Sequence, residues 1–184
     1  MLNSQFKRLF ISLNSPNEAK NKIVAIINKL SSKNKGIKWV SPAGLHFTLH
    51  FLGDLNKRQT DEVKKIMRLL EGKSKEMEFS LNYIKAFPDL NRPRIIFLQG
   101  QQINNDSVFK LQKELGQELI KVGLKIDKRI WQPHITIGRV KFGQVNIEFK
   151  KINEIKFKIN AYSLIESQLE PTGPKYIEVA NFRL

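Results

Sequence analysis

The chain has no cysteine and only three histidines among 184 residues, and it carries barely half as many acidic as basic side chains, 17 against 32. Each shortage closes off a class of chemistry. Without cysteine there is no disulfide, no thiolate metal site and no thiol nucleophile. Three histidines with no supporting acidic motif do not compose a zinc site, so chemistry without metal or other cofactor is expected. No apolar stretch approaches the roughly 20 residues of a membrane span, and Met1 to Arg8 lead into a strand-like segment without a signal-peptide core. A soluble, cytoplasmic protein that keeps clear of membranes is therefore expected. The scarcity of acid leaves a net charge of +15 and a pI near 10.0, spread along the whole sequence. That balance favours a polyanionic partner, most simply nucleic acid, with a merely solvated basic surface as the plain alternative.

With 41% apolar residues the chain has enough core for one domain over residues 1–184, built of two lobes and burying roughly 70% of its extended surface. Phe6 to Leu13 reads as a strand. Ser15-Pro16-Asn17-Glu18 has the form of a helix start, with Ser15 as cap, Pro16 at the first helical position and Glu18 closing a capping box. Ile23, Ile27 and Leu30 continue that helix until before Gly36. A second helix is predicted from Thr60 to Leu70 on the stripe Val63, Ile66, Met67 and Leu70. A third, capped by Asp106, carries Val108, Leu111, Leu115, Leu119 and Val122 up to Gly123. Strands are predicted at Glu78 to Ala86, at Arg94 to Gln99 and around Ile155, Phe157 and Ile159. A closing hairpin follows, from Ala161 to Leu169 and Lys175 to Phe182, turning at Pro171-Thr172-Gly173-Pro174. The total is about eight strands and three helices, an α+β chain with mostly antiparallel pairing.

Two of the three histidines stand in the same setting, His46-Phe47-Thr48-Leu49 and His134-Ile135-Thr136-Ile137. Each tetrad is an apolar run that reads as a strand, where residues i and i+2 share a face, so an imidazole and a hydroxyl lie side by side. Each also follows an amphipathic helix, a glycine, a tryptophan and a proline: Gly36, Trp39 and Pro42 before the first, Gly123, Trp131 and Pro133 before the second. This order predicts an internal duplication with an approximate twofold axis between the tetrads. Two histidines can divide general acid and general base work between them, which phosphodiester cleavage requires, while Thr48 and Thr136 are donors for phosphoryl oxygens.

On these motifs the chain resembles the RNA 2′,3′-cyclic phosphodiesterases, or 2′-5′ RNA ligases, of the two-histidine phosphoesterase superfamily. The matching stretches run from Arg8-Leu9-Phe10-Ile11 through Leu45 to Gly53, Phe87-Pro88 with Arg92-Pro93-Arg94, and Pro133 to Arg139. They end with Ser167 to Leu169, Pro171 and Gly173 to Tyr176. The resemblance implies antiparallel sheets facing each other across a basic cleft, helices outside, one tetrad per lobe, and a monomer. It also implies hydrolysis of a terminal 2′,3′-cyclic phosphate on RNA, tRNA fragments included, to a 2′-phosphate without metal or cofactor. His46 would be the proton donor to the leaving 3′-oxygen and His134 the proton acceptor that activates water. Thr48, Thr136 and Arg139 would bind the phosphate. The same site run backward would join a cyclic end to a 5′-hydroxyl, and a noncatalytic module that binds RNA ends or nucleotides is the alternative of a different class.

Strict alternation sets Arg139 on the face opposite His134 and Thr136, so its part in the site requires a bulge or a strand end near Gly138. The same alternation aims His50 into the cleft as flanking charge and consigns Phe47, Leu49 and Phe51 to the core. Trp39 and Trp131 are better explained by core packing than by stacking on a base. Phe97 stands where the family often has tryptophan, which removes the indole from that position. The lysine-rich segments Lys33 to Lys38 and Lys121 to Arg129 are suited to guiding RNA, or equally to plain solvation.

Overall fold

The computed structural model describes residues 6–143, 145–147, 150–171 and 173–184. In chain order the elements are β1 (Phe6–Asn14), α1 (Asn17–Ser31), β2 (Ile37–Trp39), β3 (His46–Asn56), α2 (Lys57–Leu70), β4 (Met77–Phe87) and β5 (Ile95–Gln102). They continue with α3 (Ser107–Lys121), β6 (His134–Val140), β7 (Lys151–Ile159), β8 (Ala161–Glu170) and β9 (Gly173–Arg183). A single 3-10 turn, Pro42–Gly44, precedes β3. The fold is α+β with antiparallel pairing and peripheral helices, as expected, and its strands form one extended sheet.

The strands run in the order β7-β4-β5-β6-β3-β1-β8-β9, with β2 also on β6. Two halves are therefore joined edge to edge, and among the described residues the seam between β3 and β6 is the single antiparallel pair Phe47 with Ile135. The halves repeat a strand–helix–strand plan, β1-α1-β3 and β5-α3-β6, in agreement with the duplication read from the sequence. The short β2 was not foreseen, because Ile37–Trp39 is three residues long and shows no periodicity.

Local chemistry moved two expected helix starts and changed the capping of a third. Pro16, not Ser15, is the N-cap of α1, so the fixed φ of proline sits outside the helix and Glu18 falls one position short of a capping box. Glu18 pairs instead with Lys22 at 2.6 Å, and the buried Ser15 hydroxyl has no hydrogen-bond partner among the described residues. Asp106 precedes α3 but does not cap it with its side chain; Asn105 accepts from the Ser107 amide and Gln102 from the Val108 amide. A true capping box, Asn56 with Gln59, starts α2 three residues earlier than its apolar stripe indicated. That cap follows directly on β3, which passes through Gly53 at φ 73°. Thr172, at the centre of the expected β8–β9 turn, lies outside the described residues.

Under the seam the core is aromatic. Phe47 is fully buried, with its ring 4.5 Å from Phe79 and 6.2 Å from Phe157. Helices α2 and α3 pack on each other and on β3, while α1 lies against β7 and β2. No helix among the described residues is long and apolar enough to cross a membrane.

Candidate active site

The Phe47–Ile135 pair is antiparallel, so the register continued by one residue sets His46 opposite Thr136 and Thr48 opposite His134. All four side chains point to one face and line a cleft of about 550 Å³. Each histidine thus lies between its own threonine along the strand and the other tetrad's threonine across the seam. Neither threonine hydroxyl is engaged by another protein group among the described residues.

Immediately after each tetrad the strand bulges, at the same place in both halves. In β3, Thr48 pairs with Ser12 and His50 with Ile11, so Leu49 is the extra residue. In β6, Thr136 pairs with Phe97 and Gly138 with Ile96, so Ile137 is extra. A bulge resets the alternation of faces. It brings Arg139 into the cleft, meeting the condition that strict alternation imposed.

The first bulge corrects two expectations. His50 does not face the cleft: it is 4% exposed, its Nε2 donates to the Gln112 carbonyl of α3 at 2.7 Å, and Gly116 leaves room for its ring. Phe51 is not core; it is 66% exposed and lines the cleft. Nothing in the residue pattern at Leu49-His50 announced the bulge.

The two histidines are held differently. His134 Nδ1 lies 2.8 Å from the Gln132 carbonyl, which can only accept, so Nδ1 carries the proton and Nε2 presents a lone pair to the cleft. The edges of Phe87 and Phe97 close around its ring, with centroids at 5.4 and 5.2 Å. Burial lowers its pKa, against a smaller opposing effect of that hydrogen bond. His46 is held by rings instead, stacked on Phe10 at 4.8 Å and met edge-on by Tyr176 at 5.5 Å. Burial, followed by the charges of Lys20 and His134, holds its pKa down at about 4.

Trp39 lines the cleft and Trp131 does not. Trp131 is a strut: its indole N–H donates to the Thr48 carbonyl at 2.7 Å, tying the segment before the second tetrad to the first. Of the lysine-rich segments only Lys38 reaches the cleft wall, and Arg129 is instead paired with Asp127. The residue pattern had not assigned roles to Phe10, Tyr176, Arg8 and Lys141, all of which line the cleft. For Arg8 and Phe10 a signal existed, since they alternate on β1 in phase with the partners of the first tetrad. Among the described residues no group of three His, Cys, Asp or Glu side chains could hold a metal ion.

Residues 13–97 and 102–176 match the LigT-like phosphoesterase family. Among curated proteins, an RNA 2′,3′-cyclic phosphodiesterase of Thermotoga maritima is 33% identical over 175 residues, covering 92% of this chain and 91% of the relative. One of Aquifex aeolicus is 33% identical over 156 residues, covering 80% and 81%. Among solved structures, a protein of Thermus thermophilus superposes with a TM-score of 0.86 at 23% identity, over 96% of this chain and 97% of the other. Escherichia coli LigT complexed with 3′-AMP follows at 0.83 and 20%, over 97% and 98%. Family match and relatives agree along nearly the whole chain, which therefore belongs to the LigT-like, RNA 2′,3′-cyclic phosphodiesterase family of two-histidine phosphoesterases.

Proposed function

We propose that this protein hydrolyses a terminal RNA 2′,3′-cyclic phosphate to a 2′-phosphate by acid–base catalysis between His46 and His134, without a metal ion. The observation that carries the reading is the tautomer of His134. Its Nδ1–H is committed to the Gln132 carbonyl, so Nε2 is a proton acceptor facing the cleft. It takes a proton from water, the hydroxide oxygen bonds to phosphorus, the P–O3′ bond breaks, and His46 gives its proton to the departing 3′-oxygen. Thr48, Thr136 and Arg139 hold the phosphoryl oxygens while charge redistributes on them.

A donor must be protonated, yet the surrounding protein holds His46 near 4. Substrate supplies the correction: the phosphodiester brings a negative charge against His46, and an opposite charge within a few ångströms favours the imidazolium. His46 thus takes up its proton as substrate enters, and the bound phosphate primes its own leaving-group acid.

The test is incubation of an RNA ending in a 2′,3′-cyclic phosphate with EDTA present, followed by identification of the terminal phosphate. Turnover in chelator with a 2′-phosphate product supports the assignment; a 3′-phosphate reverses the regiochemistry, and loss of turnover restored by metal rejects the metal-free reading.

A further inference from the structure

Outside the catalytic cleft, α1 and β7 enclose a second groove of about 500 Å³ that shares no residue with it. β7 is the last strand of the sheet, so its outer edge pairs with no other strand among the described residues. Its inner edge is interrupted at the same place. The ladder to β4 passes from Leu81 with Ile155 to Tyr83 with Lys151, which leaves Ile152, Asn153 and Glu154 opposite Asn82 alone. The extra residues of such a bulge are without ladder partners. A stretch of strand backbone is therefore open beside a helix, the arrangement in which an extended peptide adds to a sheet edge.

The side chains define what such a peptide must carry. Ala25 and Ile26 of α1, with Ile152 and Ile155 of β7, form an apolar strip. Lysines frame it: Lys22 and Lys29 on α1, two helical turns and about 10 Å apart, and Lys151 on β7. Lys22 is paired with Glu18, whereas Lys29 and Lys151 have no carboxylate partner among the described residues. The one acid in the lining, Glu154, is already engaged by the Ser80 hydroxyl at 2.6 Å and by Lys156 at 3.4 Å. No aromatic side chain lines the groove, so it offers no platform for a nucleobase. A second copy of β7 would bring like charge against like, in a chain of net charge +15.

We propose that this groove docks an acidic, extended peptide segment of a partner protein, added as a further strand on β7. Alternate residues of a strand share a face, so acid, apolar, acid at positions i, i+2 and i+4 spans about 13 Å. That span sets the apolar side chain on the isoleucine strip and leaves each carboxylate within reach of a flanking lysine. Main-chain hydrogen bonds to β7 hold the segment, and the charges select it. The proposal does not depend on the reaction assigned to the cleft.

The test is selection of a phage-displayed library of random dodecapeptides on the whole chain, with Ala25→Glu as the counter-selection. Ala25 is exposed on α1, so glutamate there keeps the helix and places an acid in the groove. Enriched peptides should carry acid, apolar and acid at alternate positions. Such a peptide, made synthetically, should bind Lys29→Gln and Lys151→Gln about two- to fivefold more weakly than the wild-type protein by calorimetry, as exposed ion pairs predict. Methylating alternate backbone amides of the peptide should weaken it by about two- to tenfold for each hydrogen bond lost. The methylated peptide, and one with amides in place of its acids, are read on the wild-type protein, so the decision survives a variant that fails to fold. No enrichment over the counter-selection overturns the proposal, as does binding indifferent to methylation or to loss of the acids. A uridine hexanucleotide that loses affinity in Lys29→Gln and Lys151→Gln assigns the groove to RNA, and a sedimenting dimer abolished by Ala25→Glu assigns it to a second copy; either result overturns the peptide.

Discussion

Phe47 and Ile135, each the second residue of a tetrad, form the pair through which β3 and β6 meet. Both are fully buried, so the core grips the backbone from one face while the neighbouring histidines and threonines project from the other. Spacing between acid and base is consequently set by packing below the seam.

Gly100 tests that dependence. A Cβ there would lie 2.4 Å from the Phe47 ring, and the Pro133 side chain stands at 3.3 Å on the other side. Gly100→Ala should destabilise by about 1–3 kcal/mol, as overpacking does. Melting temperature should drop by about 2–4 °C per kcal/mol in a chain of this size, and kcat should fall at temperatures where the variant is still folded. An unchanged melting curve would show that Phe47 has room to move.

His46→Ala and His134→Ala should each reduce kcat by about 10²–10⁴-fold. Since acid and base act on one displacement, the double variant should lose little more than either single one. His50→Ala should do the opposite of a catalytic change. It empties a buried site under α3, so the melting temperature should fall while turnover at permissive temperature survives; a catalytic defect larger than the stability defect would return His50 to the cleft.

How far the sequence revealed this arrangement can be read residue by residue. The tetrads, three helices and closing hairpin were legible because apolar periodicity and paired motifs are local signals. Arg139 was legible only conditionally, since its use depends on a bulge that the sequence does not mark. Phe51 and His50 exchanged faces for the same reason: one extra residue on β3 inverts both, until a second irregularity at Leu52, and the choice of Leu49 is made by pairing with β1, a strand far away in the chain. The Thr48–Trp131 tie was equally out of reach, being a contact between residues 83 apart.

Trp131→Phe removes the N–H donor and keeps an aromatic ring beside Phe109, its edge-on neighbour at 5.7 Å. The Thr48 carbonyl loses its bond, worth about 0.5–1.5 kcal/mol. The expected kinetic effect is a KM raised several-fold with a smaller change in kcat, because the threonine is displaced while both histidines remain. Steady-state kinetics on a cyclic-phosphate RNA separates this from a plain stability loss, which would move neither constant well below the melting point.

Acid should weaken the fold before carboxylate titration begins. Above pH 6.5 His46 is neutral in both folded and unfolded chains and contributes nothing to the pH dependence. Below it the unfolded chain takes a proton that the folded chain, with His46 near 4, refuses until much lower pH. The unfolded state then binds more protons, so stability falls as pH drops from about 6.5 toward 4, by at most about 3 kcal/mol from this group. Burial depresses His134 and His50 in the same direction. Thermal melts at pH 7 and pH 5 should show a smaller difference for His46→Gln than for the wild-type protein; equal differences would mean that His46 is readily protonated in the fold.

The matched bulges have one more consequence. A site framed by a near-twofold axis would, left symmetric, accept its substrate in two orientations and exchange the tasks of its histidines between binding events. The repeated frame delivers Phe51 to the cleft on one side and Arg139 to the equivalent place on the other. An apolar ring and a cation cannot serve the same part of a ligand, so this mismatch, together with the different hold on the two histidines, gives the duplicated scaffold a polarity.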